Sequence, residues 1–235
     1  MALLTRPRTH YEKIGEGNHS EVYHRPGSRW CVQLFKMDCP ELTAAKVRRE
    51  HAYLMEAYAD MPGLIPSQRL FAPDEDAHIS RTLLIKEWVQ VDASLPLNRI
   101  HGDDLTPGRR AQLQQFIGIT RDLLARGGTE EVFLPDLNDP QFTNLGFDVA
   151  GALRLLDTNR LISTAKLMSL PKGEALDLVK RRIHAKWLRR LMYLEAAFAG
   201  RSRSDLRSDP LFTRYLSPAS FDALFNDSIA VGELL

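Results

Sequence analysis

Two closely spaced glycines lie between two short strand-like segments near the start of the chain, and this feature restricts the fold most. The first segment ends at Ile14, the loop covers residues 15–20, and a second segment resumes at Glu21. A dinucleotide-binding fold would need a helix to begin at such glycines, so the pattern favours a hairpin tip instead. Gly15 and Gly17 can adopt positive φ and let backbone N–H groups approach phosphate oxygens. An ordinary β-turn at this tip is the alternative.

A second informative stretch is polar and lies near the middle of the chain. Asp139 stands five residues before Asn144, and Asp157 follows thirteen residues after Asn144. The apolar runs 145–147 and 153–156 predict a hairpin that ends at Asp157 and brings it close to Asn144. Two carboxylates and a carboxamide suit Mg²⁺, which prefers a few protein oxygens together with phosphate oxygens. Turn chemistry alone would also explain a loop that reads DLNDP.

Composition excludes several functional classes. The 235 residues are 44% hydrophobic and 26% charged, as in ordinary globular proteins. A net charge of +1 gives no general attraction to nucleic acid or membranes, and no nucleic-acid partner is expected. The two cysteines, Cys31 and Cys39, form neither a disulfide framework nor a zinc site, which favours a reducing compartment. No apolar run is long enough for a signal peptide or a transmembrane segment, so a cytoplasmic location is expected.

The remaining periodicity predicts strands followed by helices. In the first half we expect a third strand at 30–35, a helix at 40–59 with Glu50 in its middle, and strands at 64–71 and 82–91. In the second half we expect helices at 107–126, 174–200 and 218–225, with a loop at 201–210. Glu50 could equally be a helix carboxylate paired with Lys46. The basic residues of the long helix are expected to form a solvated face, with an acidic partner as the alternative.

The order of these motifs resembles a protein-kinase-like fold over roughly residues 11–165. The matching segments are IGEGNHSEVY, CVQLF, the helix with Glu50, KEWV, DPQFTN and LLDTN. The chain is most similar to small bacterial kinase-like proteins of the PhoP regulatory network type. The resemblance implies an α+β, bilobal fold, with a small β-rich N-lobe at 1–90 and a helical C-lobe at 91–235. That N-lobe would hold the glycine-loop hairpin, three further strands and one helix.

The resemblance also implies roles for individual residues. ATP and Mg²⁺ would bind between the lobes, and a phosphoryl group would pass to an acceptor hydroxyl on a protein, a small molecule or a lipid-linked sugar. The implied assignments are the phosphate loop (Gly15, Gly17, Ser20), the helix glutamate (Glu50), the adenine-binding hinge backbone (Glu87, Val89) and the metal ligands (Asn144, Asp157). Spacing to Asn144 favours Asp139 as the catalytic base, whereas the Asp-Leu pair after a strand favours Asp136.

An alternative motif at 101–107 reads HGDDLTP and is similar to the HGDL box of aminoglycoside phosphotransferases. That box needs an Asn five residues after its Asp, and Gly108 and Arg109 stand there instead. Thr106 followed by Pro107 is typical of an N-cap and the first residue of a helix. We therefore interpret this stretch as the start of a helix.

Some features depart from the kinase pattern. Gln33 occupies the position of the usual phosphate-binding lysine, and Lys36 would reach the same face only through a β-bulge. Metal would then neutralise most of the phosphate charge, with help from Lys36 or Arg160. No lysine follows either candidate base at the usual position, and no Ala-Pro-Glu segment follows Asp157. A pseudokinase that binds nucleotide or a regulatory partner is therefore an alternative, and nucleotidyl transfer is a third hypothesis.

Overall fold

We analysed a computed structural model of the chain that describes residues 11–17, 19–37, 42–127, 129–159, 161–165 and 178–230. Cys39 and Arg160 lie outside the described residues. No helix in these ranges combines the length and the apolar character needed to cross a membrane.

The N-terminal part is built on one antiparallel five-stranded sheet. Its strands are β1 (Glu12–Glu16), β2 (Ser20–His24), β3 (Trp30–Phe35), β4 (Gln68–Phe71) and β5 (Leu83–Glu87). The strand order is β1-β2-β3-β5-β4, so β5 pairs with β3 and β4 lies at the edge of the sheet. The glycine loop joins β1 to β2 as the predicted hairpin tip. The predicted strands at 64–71 and 82–91 are present but shorter at their ends.

One helix, α1 (Ala44–Ala57), connects β3 to β4. Thr43 caps it, since its side chain accepts a hydrogen bond from the backbone N–H of Lys46. Val47 and Leu54 are completely buried, so they mark the face of α1 that packs into the protein interior. The prediction placed this helix at 40–59, and positions 40 and 41 lie outside the described residues.

The C-terminal part is mainly helical and carries short strand pairs. Its helices are α2 (Pro107–Arg126), α3 (Leu178–Ala199), α4 (Arg203–Ser208), α5 (Pro210–Tyr215) and α6 (Pro218–Ala230). Strand β6 (Phe133–Leu134) pairs with β9 (Ile162–Ser163), and β7 (Leu145–Phe147) pairs with β8 (Leu153–Leu155). Helix α2 has the predicted bounds, and its predicted apolar stripe is buried in the main core. The β-rich first part and the helical second part confirm the predicted α+β class, with a small N-terminal lobe of strands followed by a helical C-lobe.

Two local predictions were wrong. Residues 201–210 were expected to form a loop, but α4 occupies six of them because Ser202 and Asp205 form a reciprocal capping box. The solvated face expected for the basic residues of α3 is wrong at Arg190, which is only 1% exposed, whereas Lys186 is exposed. Trp187, Leu188 and Leu191 of the same helix are fully buried in the main core.

An ionic cluster joins three helices of the C-lobe. Arg121 of α2 donates hydrogen bonds to Glu195 of α3 at 2.7 Å and to Asp209, the N-cap of α5, at 2.8 Å. Arg201 donates to the same two carboxylates at 3.2 and 2.9 Å. Both acids are buried, so their charges depend on the two arginines.

We expect Asp209 of this cluster to make stability sensitive to acid. Burial alone would raise the pKa of Asp209, but hydrogen bonds from the Leu211 N–H, Arg121 and Arg201 outweigh it and lower the pKa below 3.8. The unfolded chain then takes up the proton first, so this stabilisation is present above pH 3.8 and is lost as the pH falls below it. In urea titrations, the stability difference between wild type and Asp209→Asn should shrink from pH 6 towards pH 3. A difference that stays constant would contradict the assignment.

Candidate functional site

A cleft lies between the five-stranded sheet and the β7–β8 hairpin. This cleft has a volume of about 520 Å³. The sheet side contributes Ile14, Gly15, Glu16, Gly17, Ser20, Val22, Cys31, Gln33, Lys86, Glu87, Trp88 and Val89. The opposite side contributes Thr143, Asn144, Leu156 and Asp157, and Pro66 lies at the edge. Segments far apart in the sequence therefore meet around one cavity of a size suited to a small-molecule ligand.

The glycine loop forms the upper rim of this cleft. The backbone N–H of Gly17 donates to the carbonyl of Ser20 at 2.8 Å, which closes the hairpin tip. A Cβ at Gly15 or Gly17 would meet its first neighbours only at 3.9 and 4.0 Å. Space therefore does not require glycine at either position in this conformation. The two glycines leave the rim free of side chains, so that a ligand could approach the backbone closely.

Gln33 and Lys36 are separated by the geometry of β3. Gln33 is buried, faces the cleft and donates from Nε2 to Ser20 Oγ at 2.9 Å. Lys36 lies beyond the end of β3, which pairs with β2 without a bulge. Its Nζ donates to Glu16 Oε1 at 2.7 Å and to the Gly17 carbonyl at 3.0 Å. Lys36 therefore holds the glycine loop through these two contacts and is not among the described residues that line the cleft.

Lys86 on β5 is the basic residue that does face the cleft. Its side chain is 7% exposed, and Nζ donates to the carbonyl oxygen of Leu156 at 2.6 Å, directly before Asp157. Burial lowers the pKa of Lys86, although the charge of Asp157 opposes this shift. Among the described residues that line the cleft, Lys86 is the single cation.

The end of β5 and the two residues after it line the cleft. The side chain of Glu87 is engaged elsewhere, since Oε1 accepts from Arg154 at 2.7 Å and Oε2 from the Ser67 N–H at 3.1 Å. Burial alone would raise the pKa of Glu87, but these hydrogen bonds and the Arg154 charge lower it. Trp88 stacks on His24 with ring centroids 4.4 Å apart. Within the described ranges, the Val89 N–H donates to no protein acceptor and is available to a ligand.

Asn144 and Asp157 flank the open end of the β7–β8 hairpin, as the sequence predicted. Leu145 pairs with Leu155, and the Leu156 N–H donates to the Asn144 carbonyl at 2.7 Å. The register of two short strands therefore places both side chains at one wall of the cleft. This arrangement depends on local pairing, which is why the apolar runs were sufficient to predict it.

The oxygen atoms at this wall could serve as ligands of Mg²⁺. Asp157 Oδ1 accepts from the Asn159 N–H at 3.0 Å, while Asp157 Oδ2 and Asn144 Oδ1 accept no hydrogen bond from any described residue. One carboxylate and one amide are a sparse set for a metal, and no group of three or more His, Cys, Asp or Glu within the described residues could hold an ion. Mg²⁺ tolerates such a site where phosphate and water oxygens complete its coordination.

The two candidate bases differ in how they are held. Asp139 accepts from the N–H groups of Gln141 at 3.0 Å and Thr143 at 3.2 Å, and from the Thr143 hydroxyl. Burial alone would raise the pKa of Asp139, but these hydrogen bonds and the charge of Arg190 lower it. Asp139 therefore shapes its own loop. At Asp136, Oδ1 accepts from the Asn138 N–H at 2.9 Å, and its carbonyl accepts from Asn144 Nδ2 at 3.4 Å.

The loop that carries these acids rests on α3. Phe142 has a φ of 53°, an unusual value for a non-glycine residue, and stacks on Tyr193 with ring centroids 5.6 Å apart. Trp187 donates from Nε1 to the Pro135 carbonyl at 2.8 Å. The buried α3 thus holds the loop on both sides of Asp136 and Asp139, and this packing stabilises the strained conformation before Thr143 and Asn144.

Comparison with known proteins finds likenesses among solved structures. No protein-family model and no curated protein matches the chain. Among solved structures, the chain is similar to the choline kinase LicA from Streptococcus pneumoniae, with 13% sequence identity and a TM-score of 0.37. The match covers 93% of this chain and 94% of that chain. At this identity and TM-score, the likeness assigns neither a substrate nor an activity to this chain.

The structure brings most of the predicted site residues to one cleft. Gly15, Gly17, Ser20, Gln33, Glu87, Val89, Asn144 and Asp157 all line it. Glu50 is buried on α1, 3.8 Å from Lys46, and is not part of the described cleft lining. The same lining does not include Lys36, Asp136 or Asp139. The sequence analysis missed Lys86, whose signal was a lysine two residues after the buried Leu84, on the same face of the strand.

Proposed function

We propose that this protein is an atypical kinase-like phosphotransferase that uses Mg·ATP and transfers the γ-phosphoryl group to an acceptor hydroxyl. The observation that carries the proposal is the meeting of Asn144 and Asp157 at one wall of a cleft whose opposite rim is the glycine loop. Kinase-like sites need these parts, namely oxygen ligands for the metal and a flexible backbone over the phosphates. The finer likeness to proteins of the PhoP regulatory network type and a bacterial origin are part of this proposal.

Each part of the cleft would contribute to binding or chemistry. The glycine loop would donate N–H groups to the phosphates, and the Val89 N–H would donate to the adenine ring. Asp157 and Asn144 would hold Mg²⁺, which supplies neutralisation of phosphate charge when it is bound. Asp136 would orient the acceptor hydroxyl and take its proton, while Asp139 keeps the loop in shape.

Asp136 is our preferred base because of its place next to Asn144. The hydrogen bond from Asn144 Nδ2 to the Asp136 carbonyl fixes the backbone of Asp136 beside a proposed metal ligand. Asp139 is the weaker candidate, since its carboxylate already accepts three hydrogen bonds from its own loop.

Binding of Mg·ATP is the first test of the proposal. A ligand at a hundredfold excess over its Kd stabilises the folded state by about 2.7 kcal/mol, which gives a clear rise in Tm. We expect this rise for the wild type and its loss in Asp157→Asn, because the carboxylate of Asp157 would hold the metal. The matched control is Asp148→Asn, which changes another aspartate of the same hairpin outside the cleft. An equal rise in all three proteins would contradict the proposed site.

A pseudokinase is the second candidate function, and Gln33 is the observation that favours it. Gln33 brings no charge to the position of the usual lysine. A protein of this class would show the Mg·ATP shift but no ADP formation with any acceptor. The mass change of the acceptor distinguishes nucleotidyl transfer from phosphoryl transfer. Nucleotidyl transfer adds AMP, and phosphoryl transfer adds a phosphate group.

A further inference from the structure

Lys86 occupies an unusual place for a lysine. It lies on the apolar inner face of β5, 7% exposed, with Leu84 two residues before it. Burying an ammonium group is costly unless opposite charge and hydrogen-bond acceptors compensate it. Among the described residues it donates one hydrogen bond, to Leu156, although an ammonium group has three donors. Two donors are therefore available at a position that faces the cleft.

The pairing of β3 and β5 explains how Lys86 can serve the position of Gln33. Gln33 pairs with Leu84 and Cys31 pairs with Lys86, so Gln33 and Lys86 are diagonal neighbours on adjacent strands. Successive side chains of a strand point to opposite faces of the sheet, so Leu84 and Lys86 share one face. Gln33, the partner of Leu84, lies on that same buried face. Diagonal neighbours lie about 7–8 Å apart, within reach of a long side chain.

The position of the ammonium group also suits a phosphate ligand. The bond to the Leu156 carbonyl at 2.6 Å places Nζ directly beside Asp157, the proposed metal ligand. We propose that Lys86 is the phosphate-binding cation of this cleft and replaces, from the neighbouring strand, the lysine that Gln33 lacks. This inference rests on the proposed function, since it names the residue that recognises the nucleotide phosphates.

The test compares binding of Mg·ATP and of adenosine by calorimetry. In Lys86→Met we expect Mg·ATP to bind about tenfold to a hundredfold more weakly, as for the loss of a hydrogen bond to a charged group, with adenosine affinity nearly unchanged. A role that is only structural would weaken both ligands together. Lys186→Met is the matched control, because Lys186 is exposed on α3 and is not among the described residues that line the cleft. It should leave the ratio of the two affinities unchanged.

A rescue variant keeps the inference testable if Lys86→Met perturbs the fold. Gln33→Lys with Lys86→Met restores a cation at the usual position and should recover most of the Mg·ATP affinity. If the wild type binds Mg·ATP and Lys86→Met binds it equally well, the role of Lys86 is overturned while the proposed function stands. Wild-type protein that binds no Mg·ATP would overturn the proposed function as well.

Discussion

Replacement of Asp136 by Asn should reduce phosphoryl transfer by about 10²–10⁴-fold, the usual contribution of a positioned general base. Mg·ATP affinity should change little, because the proposed metal ligands are Asn144 and Asp157. Asparagine retains an oxygen that can accept from the Asn138 N–H, so the local turn can persist. The measurement is ADP formation under single-turnover conditions, with the Kd for Mg·ATP measured on the same protein.

Asp139→Asn is the informative comparison for this prediction. Its carboxylate accepts from Gln141 and Thr143 through both oxygens, and an amide can reproduce only part of that pattern. We expect a lower Tm and weaker Mg·ATP binding, since Asn144 directly follows Thr143. A variant of Asp139 that folds and binds Mg·ATP normally but has lost turnover would identify Asp139, and not Asp136, as the base.

The two candidate bases show where sequence spacing was sufficient and where it was not. The hairpin that joins Asn144 to Asp157 was predictable, because two apolar runs and a turn determine its register locally. The loop before it was not, since Phe142 adopts a positive φ that is stabilised by packing on Tyr193 of α3. A contact between distant segments decides that conformation, and no local pattern around residue 142 indicates it.

Lys86 and Gln33 illustrate the same limit in the sheet. The sequence correctly indicated that β3 lacks a lysine facing the cleft, and that Lys36 would need a bulge to replace it. It could not indicate that β5 pairs beside β3 with Lys86 diagonal to Gln33, because β4 precedes β5 in the chain and yet lies outside it. Strand order and register are tertiary properties, so the cation of the cleft became visible only in the fold.

Arg121→Ala should lower the free energy of unfolding by about 3 kcal/mol, the low end of the range for breaking a buried ion pair. Arg121 joins α2 to Glu195 of α3 and to Asp209 at the start of α5, and Glu195 is only 1% exposed. Removal of the guanidinium group leaves both carboxylates buried, with Arg201 as their remaining partner among the described residues. Because Arg201 still bridges them, the loss should not reach the upper end of that range. Urea unfolding at pH 7 measures it.

Arg207→Ala is the matched control, since Arg207 pairs with Asp222, whose side chain is 34% exposed. An exposed ion pair contributes little to stability, so this variant should unfold almost like the wild type. Adding Glu195→Leu to Arg121→Ala should recover part of the loss, because an apolar side chain needs no buried countercharge. Additive effects of the two substitutions on the free energy of unfolding would show that Arg121 and Glu195 are not coupled.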